Sequence, residues 1–453
     1  MNRKRDIFGW AMYDWANSAF ATTILVAVFP MFFDSVIVPE GGFSILGMKF
    51  SAISLLGFAS SFYALLIFIA APVLGAISDY SSSKKQFLMF FCYLGSVFSI
   101  LLYFCDSGEV WQTMLFFVLA QIGFVGGNSF YDAFLPQIAS QDRMDRVSGL
   151  GYAYGYIGGG IQFALSLGLI AGHDLFGITT VQAARLSMAM AGLWWGGFAL
   201  VTFRLLREEP SPETRPDPSG FLKKIAAYGA IGFRRTIGTA LKVRRFKHLL
   251  IFLIAFMVFN DAIQTVIKMA SIYGLDEIGL SQTGIMLTLL VIQFVAFFGA
   301  LLFGWIAEMI NAKRALMITL LIWTGVVVNS YYMTTMTGFL VNGIIVGLAM
   351  GGSQALSRSL YGSMIPAGAS AEFYGFYSVF SKFTAIIGPA LFGFVDFYTG
   401  SSRLAILSLV VFFSIGIVLL SMVDVRKARE ARELELFSEP CPQIPQPNAL
   451  NLD

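Results

Sequence analysis

Gly9-Trp10-Ala11-Met12-Tyr13-Asp14-Trp15-Ala16-Asn17-Ser18-Ala19-Phe20 opens a long apolar run, yet it carries an acid and an amide three residues apart. In a helix that spacing puts Asp14 and Asn17 on one face. At about 1.5 Å of rise per residue, Asp14 sits a turn or two inside the run. A carboxylate sunk in hydrocarbon is costly unless it faces a watery cavity or a partner. The stretch therefore predicts a membrane helix with one face turned to such a cavity, and the rest of the chain reads as further helices around it.

Composition agrees. Hydrophobic residues are 57% of the 453 and charged residues 13%, against roughly 45–50% and 25% in soluble domains. A span needs about 20 apolar residues. Twelve stretches qualify: 9–33, 51–77, 87–105, 112–136, 149–171, 182–204, 248–272, 282–307, 314–335, 338–361, 373–397 and 402–424. The fold class expected is an all-α membrane protein. No cleavable leader pattern precedes span one, because Asp14 and Asn17 interrupt it, so that span is expected to remain as an anchor.

Lys and Arg set the orientation. Arg3, Lys4, Arg5, Lys84, Lys85, Arg143, Arg146, Lys313, Arg314, Arg426, Lys427, Arg429 and Arg432 fall on one side, with many more in 204–247. The other side keeps Lys49, Arg185 and Arg403. Both termini are thus expected to be cytoplasmic. Four regions follow: a six-helix bundle over 1–206, a linker over 207–247, a second bundle over 248–425 and a tail over 426–453, read as disordered beyond a short charged helix. Phe221 to Lys247 mixes apolar and basic residues, which fits an amphipathic helix on an anionic leaflet or a solvated basic loop. Nucleic acid is not an expected partner for a segment held between spans; the lipid bilayer is.

The two bundles repeat. Gly75, Asp79, Lys84 and Lys85 lie between spans two and three; Gly304, Glu308, Lys313 and Arg314 lie between spans eight and nine, offset by 229 residues. Tyr131, Pro136 and Gly158 correspond to Tyr361, Pro366 and Gly388 at an offset of 230. Such an offset is the mark of a parallel duplication. The Gly permits close helix approach, while the acid and bases sit at helix ends, where a structural or gating role is expected of Asp79, Lys84, Lys85, Glu308, Lys313 and Arg314.

Trp10 to Phe20 resembles the opening of the bacterial "unknown major facilitator" transporters, relatives of the autophagy-linked vacuolar amino-acid effluxers of fungi. The repeated Gly-x-x-x-acid-x-x-x-x-base pattern is similar to the loop motif of the major facilitator superfamily. The resemblance implies twelve transmembrane helices in two six-helix repeats, alternating access, efflux of small solutes with amino acids foremost, a bacterial inner membrane and a monomer. It also implies that spans one, four, seven and ten line the central cavity.

Polar residues inside the spans fall on those four. Span one has Asp14, Asn17, Thr22 and Thr23; span four has Gln121, Asn128 and Asp132 on one face; span seven has Asn260, Asp261, Gln264 and Lys268; span ten has Gln354 and Arg358. Gln162 and Gln293 add mid-depth amides in spans five and eight. Lys382 lies about ten residues into span eleven, roughly 15 Å of helix, and must face water, an acid or an anionic solute. A zwitterion needs opposed anion and cation sites. Lys382 with Asp261 or Asp14 would meet that need, and the rival reading of Asp261 and Lys382 is a mutual ion pair. Asp14, Asn17, Gln121, Asn128, Asn260, Asp261, Gln264 and Lys382 are therefore the candidate solute or ion contacts. Asp132 and Arg358 lie shallower and read as a gate, with Asp14 or Asp132 pairing Arg358. Tyr152, Tyr154 and Tyr156 face either the cavity or the headgroups.

The sequence carries no nucleotide loop, and its glycine-rich span five has no preceding strand. Gradient energy, by protons on a desolvated carboxylate, is expected instead. Cys92, Cys105, Cys441, His173 and His248 show no paired spacing, so no disulfide framework, metal site or cofactor is implied. The motifs of an intramembrane hydrolase are missing, and the chain is not expected to be an enzyme. Other readings are a proton-linked exporter of drugs, sugars or lysolipids, and a non-transporting receptor or scaffold on the same fold.

Overall fold

Small polar residues mark where the helices begin. Ser51, Thr179, Ser281, Asn311, Thr335 and Ser401 each accept a backbone N–H three residues on, which satisfies one of the donors that a helix start leaves unpaired. The computed structural model describes residues 1–45, 47–209, 229, 232–234, 236–238, 246–383 and 387–433. Most of the basic linker segment, and the tail beyond 433, lie outside the described residues.

The first bundle comprises α1 (Lys4–Ile37), α2 (Ala52–Ser81), α3 (Lys84–Phe104), α4 (Val110–Ile138), α5 (Met144–Ala171) and α6 (Thr180–Leu205). The second comprises α7 (Lys247–Asp276), α8 (Gln282–Ile310), α9 (Ala312–Tyr332) and α10 (Met336–Met364). It continues with α11 (Ser370–Phe383), α12 (Ile387–Thr399) and α13 (Ser402–Ser421). A charged helix α14 (Val425–Glu433) follows. Eleven described helices are long and apolar enough to span a bilayer. The stretch 373–397, expected as one span, is carried by α11 and α12 on either side of residues 384–386, which lie outside the described residues.

Two features go beyond the sequence reading. Phe43–Ile45 pairs antiparallel with Met48–Phe50 in a small hairpin between α1 and α2. The part of α1 from Phe20 to Val28 is π-helical, a wider winding often found where a helix serves a site.

Backbone contacts sort the helix ends onto two faces. On one, Asn2 N donates to Ile138 O, Lys84 N to Glu208 Oε1, Asp424 N to His248 Nδ1 and Arg432 Nη1 to Ser363 O. This terminal face carries the N-terminus and the basic helix ends. On the far face Gly108 N donates to Ile37 O, Arg185 pairs with Asp106 and Arg403 with Glu277.

The seam between bundles is made by α2 and α4 against α11, and by α5 against α8 and α10. Glycines let the backbones close in. A Cβ on Gly149 would stand 2.7 Å from Ala300 O, and one on Gly375 2.8 Å from Ala71 O. Gly75, from the repeated motif, lies directly against the Ala371 carbonyl, with no room for a side chain.

Candidate functional site

Between the bundles lies a cavity of about 340 Å³. Helices α1, α4, α5, α7, α8, α10 and α11 contribute to its wall; the stripes on α1, α4, α7 and α10 supply Asp14, Asn17, Asn128, Asp132, Asn260, Gln264, Gln354 and Arg358, and Gln293 of α8 and Ser378 of α11 add to them. Asn17 Nδ2 donates to Asn128 Oδ1 at 2.5 Å, and Tyr156 Oη to Gln354 Oε1 at 2.8 Å across the two halves. Toward the far face the cavity adjoins an apolar recess of about 100 Å³, lined by Val266, Ile267, Leu289, Ile292 and Met350 among others.

Arg358 closes the terminal end of the cavity. It is 1% exposed, a depth at which a charge demands full compensation. Its Nη1 lies 3.1 Å from Asp132 Oδ1 and 3.4 Å from Asp14 Oδ2. Its Nε donates to Ser148 Oγ and its Nη2 to Ser148 O, at 3.0 and 2.8 Å. The guanidinium also lies over Tyr152, Trp10 and Tyr131, at 4.1, 4.7 and 5.3 Å from the ring centres. Both acids that the sequence offered as partners for Arg358 are thus used at once. Tyr131 Oη donates to Asp14 Oδ2 at 2.9 Å, and Trp10 Nε1 to Tyr131 O at 2.8 Å. Both bonds hold the acid and the rings in place from within the first bundle.

Closer to the surface of the terminal face, Lys84 Nζ stands 2.6 Å from Asp79 Oδ1, with both side chains almost fully buried. Asp79 Oδ2 accepts Glu372 N at 2.8 Å, and Lys84 Nζ donates to Ser370 Oγ at 3.1 Å. The pair therefore ties α2 and α3 to the start of α11, across the seam. Lys85 donates instead to Leu206 O at 2.9 Å. Glu208, whose carboxylate accepts Lys84 N and Lys85 N, is pushed above the usual carboxylate range by burial.

The repeat of this motif is not used alike. Glu308 is exposed and makes no ion pair among the described residues, and Arg314 is exposed as well. Lys313 Nζ donates to Ser421 O and Val423 O, both at 2.7 Å, at the end of α13. Equal spacing in sequence placed both motifs at helix ends and both glycines against the opposite bundle, since a Cβ on Gly304 would stand 3.4 Å from Asp145 O. Among the described residues, only the first motif's ion pair hydrogen-bonds across the seam.

Two other expected contacts, Gln121 and Asp261, sit apart from the cavity wall. Gln121 is 1% exposed and its Nε2 has no partner among the described residues. It is seven residues, about 10.5 Å of rise, beyond Asn128, at a level where α4 faces packed side chains. Asp261 is buried against α12: its Oδ2 accepts Gly388 N at 2.7 Å, where a carboxylate meets the positive end of a helix. Thr265, one turn on from Asp261, donates to its carbonyl. A Cβ at Gly388 would stand 3.0 Å from Asp261 Oδ1, so the glycine is what admits the carboxylate. The side chain of Lys382 lies outside the described residues. Gln162, in span five, is taken up by Thr23 and Ser166 within the first bundle.

Sequence reading gave Trp10, Tyr131 and Ser148 no part in the site and left Tyr152 open between the cavity and the headgroups. A usable signal was the i, i+4 spacing of Tyr152 and Tyr156, which turns both to the cavity, while Tyr154 packs against Phe8. Among the described residues no group of three or more His, Cys, Asp or Glu is placed to hold a metal ion.

The architecture recurs in solved transporters. The human organic anion transporter MFSD10 superposes with a TM-score of 0.69 at 14% identity, covering 92% of this chain and 99% of that one. FucP in its outward conformation gives 0.65 at 14% identity, over 93% and 98%. Fold, apolar spans and relatives together define a multi-pass integral membrane transporter of the major facilitator superfamily. Within it, the chain belongs to the family described as "Vacuole effluxer Atg22 like", which matches residues 2–433. An uncharacterized transporter of that superfamily from Bacillus subtilis, YxiO, is 33% identical over 91% of this chain and 94% of its own length. Autophagy-related protein 22-1 of Neosartorya fischeri is 28% identical over 63% of this chain, which spans about half (49%) of that fungal relative.

Proposed function

We propose that the protein is a secondary active transporter that moves a small polar or zwitterionic solute by alternating access, with amino acids as the leading class and efflux as the direction. The terminal face is then cytoplasmic, since it carries the excess of Lys and Arg, in a bacterial inner membrane. The observation that carries this reading is the amide-walled cavity between the bundles, closed at one end by Arg358 with Asp14 and Asp132. Its size falls within the roughly 300–1,000 Å³ of small-molecule sites. Asn17, Asn128, Asn260 and Gln264 supply donors and acceptors to a polar solute. The family description, vacuole effluxer, supports export.

Asp14, Asp132 and Arg358 form the inner gate, and Asp79 with Lys84 the outer tie on the same face. With every group ionised, two carboxylates on one guanidinium leave one negative charge in excess. A single proton neutralises the trio and weakens its hold on Arg358, which gives a route for proton coupling. Asp261 serves to fasten α12 to α7. A second reading, export of a more apolar solute, is favoured by the recess beside the cavity.

Thermal-shift screening of the reconstituted protein against a metabolite mixture, followed by counterflow of the hits in liposomes, tests the proposal. Amino acids are expected among the hits, with apparent affinity falling about tenfold or more in an Asn260→Ala, Gln264→Ala double variant that keeps its fold. Binding and counterflow untouched by those changes would remove the site from this cavity.

A further inference from the structure

We propose that the seat now filled by Arg358 is the cation-binding half of the transport site, so that the solute carries an ammonium or guanidinium group. This rests on the carrier reading above. The guanidinium belongs to the second bundle, on α10, whereas the groups it hydrogen-bonds, pairs with or lies over belong to the first: Trp10 and Asp14 on α1, Tyr131 and Asp132 on α4, Ser148 and Tyr152 on α5.

Half of the seat is held together without its occupant. Trp10 is fixed by its bond to Tyr131 O, the Trp10 and Tyr131 rings stack at 4.5 Å, and Tyr131 Oη holds Asp14. A simple lock for one arginine needs one carboxylate. This seat offers two, a backbone carbonyl and three aromatic faces, which together are the surroundings that recognise an organic cation. It also opens on the cavity, which Asp14, Tyr131, Asp132 and Tyr152 all line.

When the bundles part at the terminal face, Arg358 leaves with the second. The first is left with a charged, aromatic box open to water, ready for a cation from solution. Arg358, freed in the same motion, presents a planar fork suited to a carboxylate. The closed protein thus satisfies with its own arginine the groups that a zwitterionic solute would bridge when it is open.

The probe is ethylguanidinium chloride at low millimolar concentration on an Arg358→Ala variant in lipid nanodiscs. A saturable rise in melting temperature is expected, and its loss when Tyr152→Leu is added. A folded Arg358→Ala protein that shows no saturable shift, or the same shift with Tyr152→Leu, overturns the inference. Should Arg358→Ala fail to fold, wild-type counterflow decides: an amino acid is expected to exchange at least tenfold faster than its N-acetyl derivative. Equal exchange of the two overturns the cation seat and leaves the carrier reading standing. If no solute exchanges at all, the carrier reading fails, and the seat with it as a transport site.

Discussion

Arg358→Ala is expected to cost more than any other single change in the gate. The guanidinium is buried, donates to Ser148 twice and faces two carboxylates. Its removal strands Asp14 and Asp132 side by side with no countercharge, and breaking a buried pair in this way costs about 3–5 kcal/mol. The contacts run between bundles, so much of that loss falls on the conformation with the terminal face closed. At about 1.4 kcal/mol per tenfold, the closed population would drop by roughly a hundredfold or more. Arg358→Lys is expected to recover only part, because an ammonium cannot serve Ser148 and two carboxylates through one planar fork. Thiol labelling of a cysteine placed at Ser148 reads the opening: fast in Arg358→Ala, slow in the parent, intermediate in Arg358→Lys. Slow labelling in all three would show that Arg358 does not hold this face shut.

Asp79→Asn is expected to come second. Asp79 and Lys84 are each almost entirely shielded from solvent, and Asp79 also takes the backbone N–H of Glu372. The amide leaves the Lys84 ammonium buried against Ser370 alone, again at about 3–5 kcal/mol. Removing both charges together, in Asp79→Asn with Lys84→Met, is expected to cost less than Asp79→Asn alone, since no buried ion is then left unpaired. Melting temperatures of the two single variants and the double variant check this. Additive losses would mean that the two side chains act independently.

The large-scale plan was legible in the sequence because hydrocarbon imposes it. Apolar stretches of the right length, and basic residues crowded at alternate ends, leave few arrangements for a chain this apolar. The stripes on spans one, four, seven and ten were legible too, because a polar side chain in a membrane helix has few places to go. Rotation and tilt were harder to read. Gln121 shares the angular position of Asn128 yet sits against packed side chains, and Asp261 turns to the start of α12 and away from the cavity. The difference lies in where each helix crosses its neighbours, and a single sequence does not encode that locally. Likewise the offset of 229 residues made Asp79 and Glu308 look equivalent, although Asp79 is buried and accepts a hydrogen bond from a helix of the other bundle while Glu308 is exposed. The aromatic seat of Arg358 was hidden because Trp10 and Tyr131 look like ordinary core residues, and Tyr152 like a cavity or headgroup residue, until three helices bring them together.

The central claim is that the two bundles must separate at the terminal face for solute to pass. Ser129 on α4 and Ser378 on α11 face each other across the seam, with their hydroxyl oxygens 2.7 Å apart. In a Ser129→Cys, Ser378→Cys variant with Cys441 replaced, oxidation should link the bundles. Solute counterflow in liposomes is predicted to stop on oxidation and to return on reduction. Full flux through the fully cross-linked protein would contradict the account.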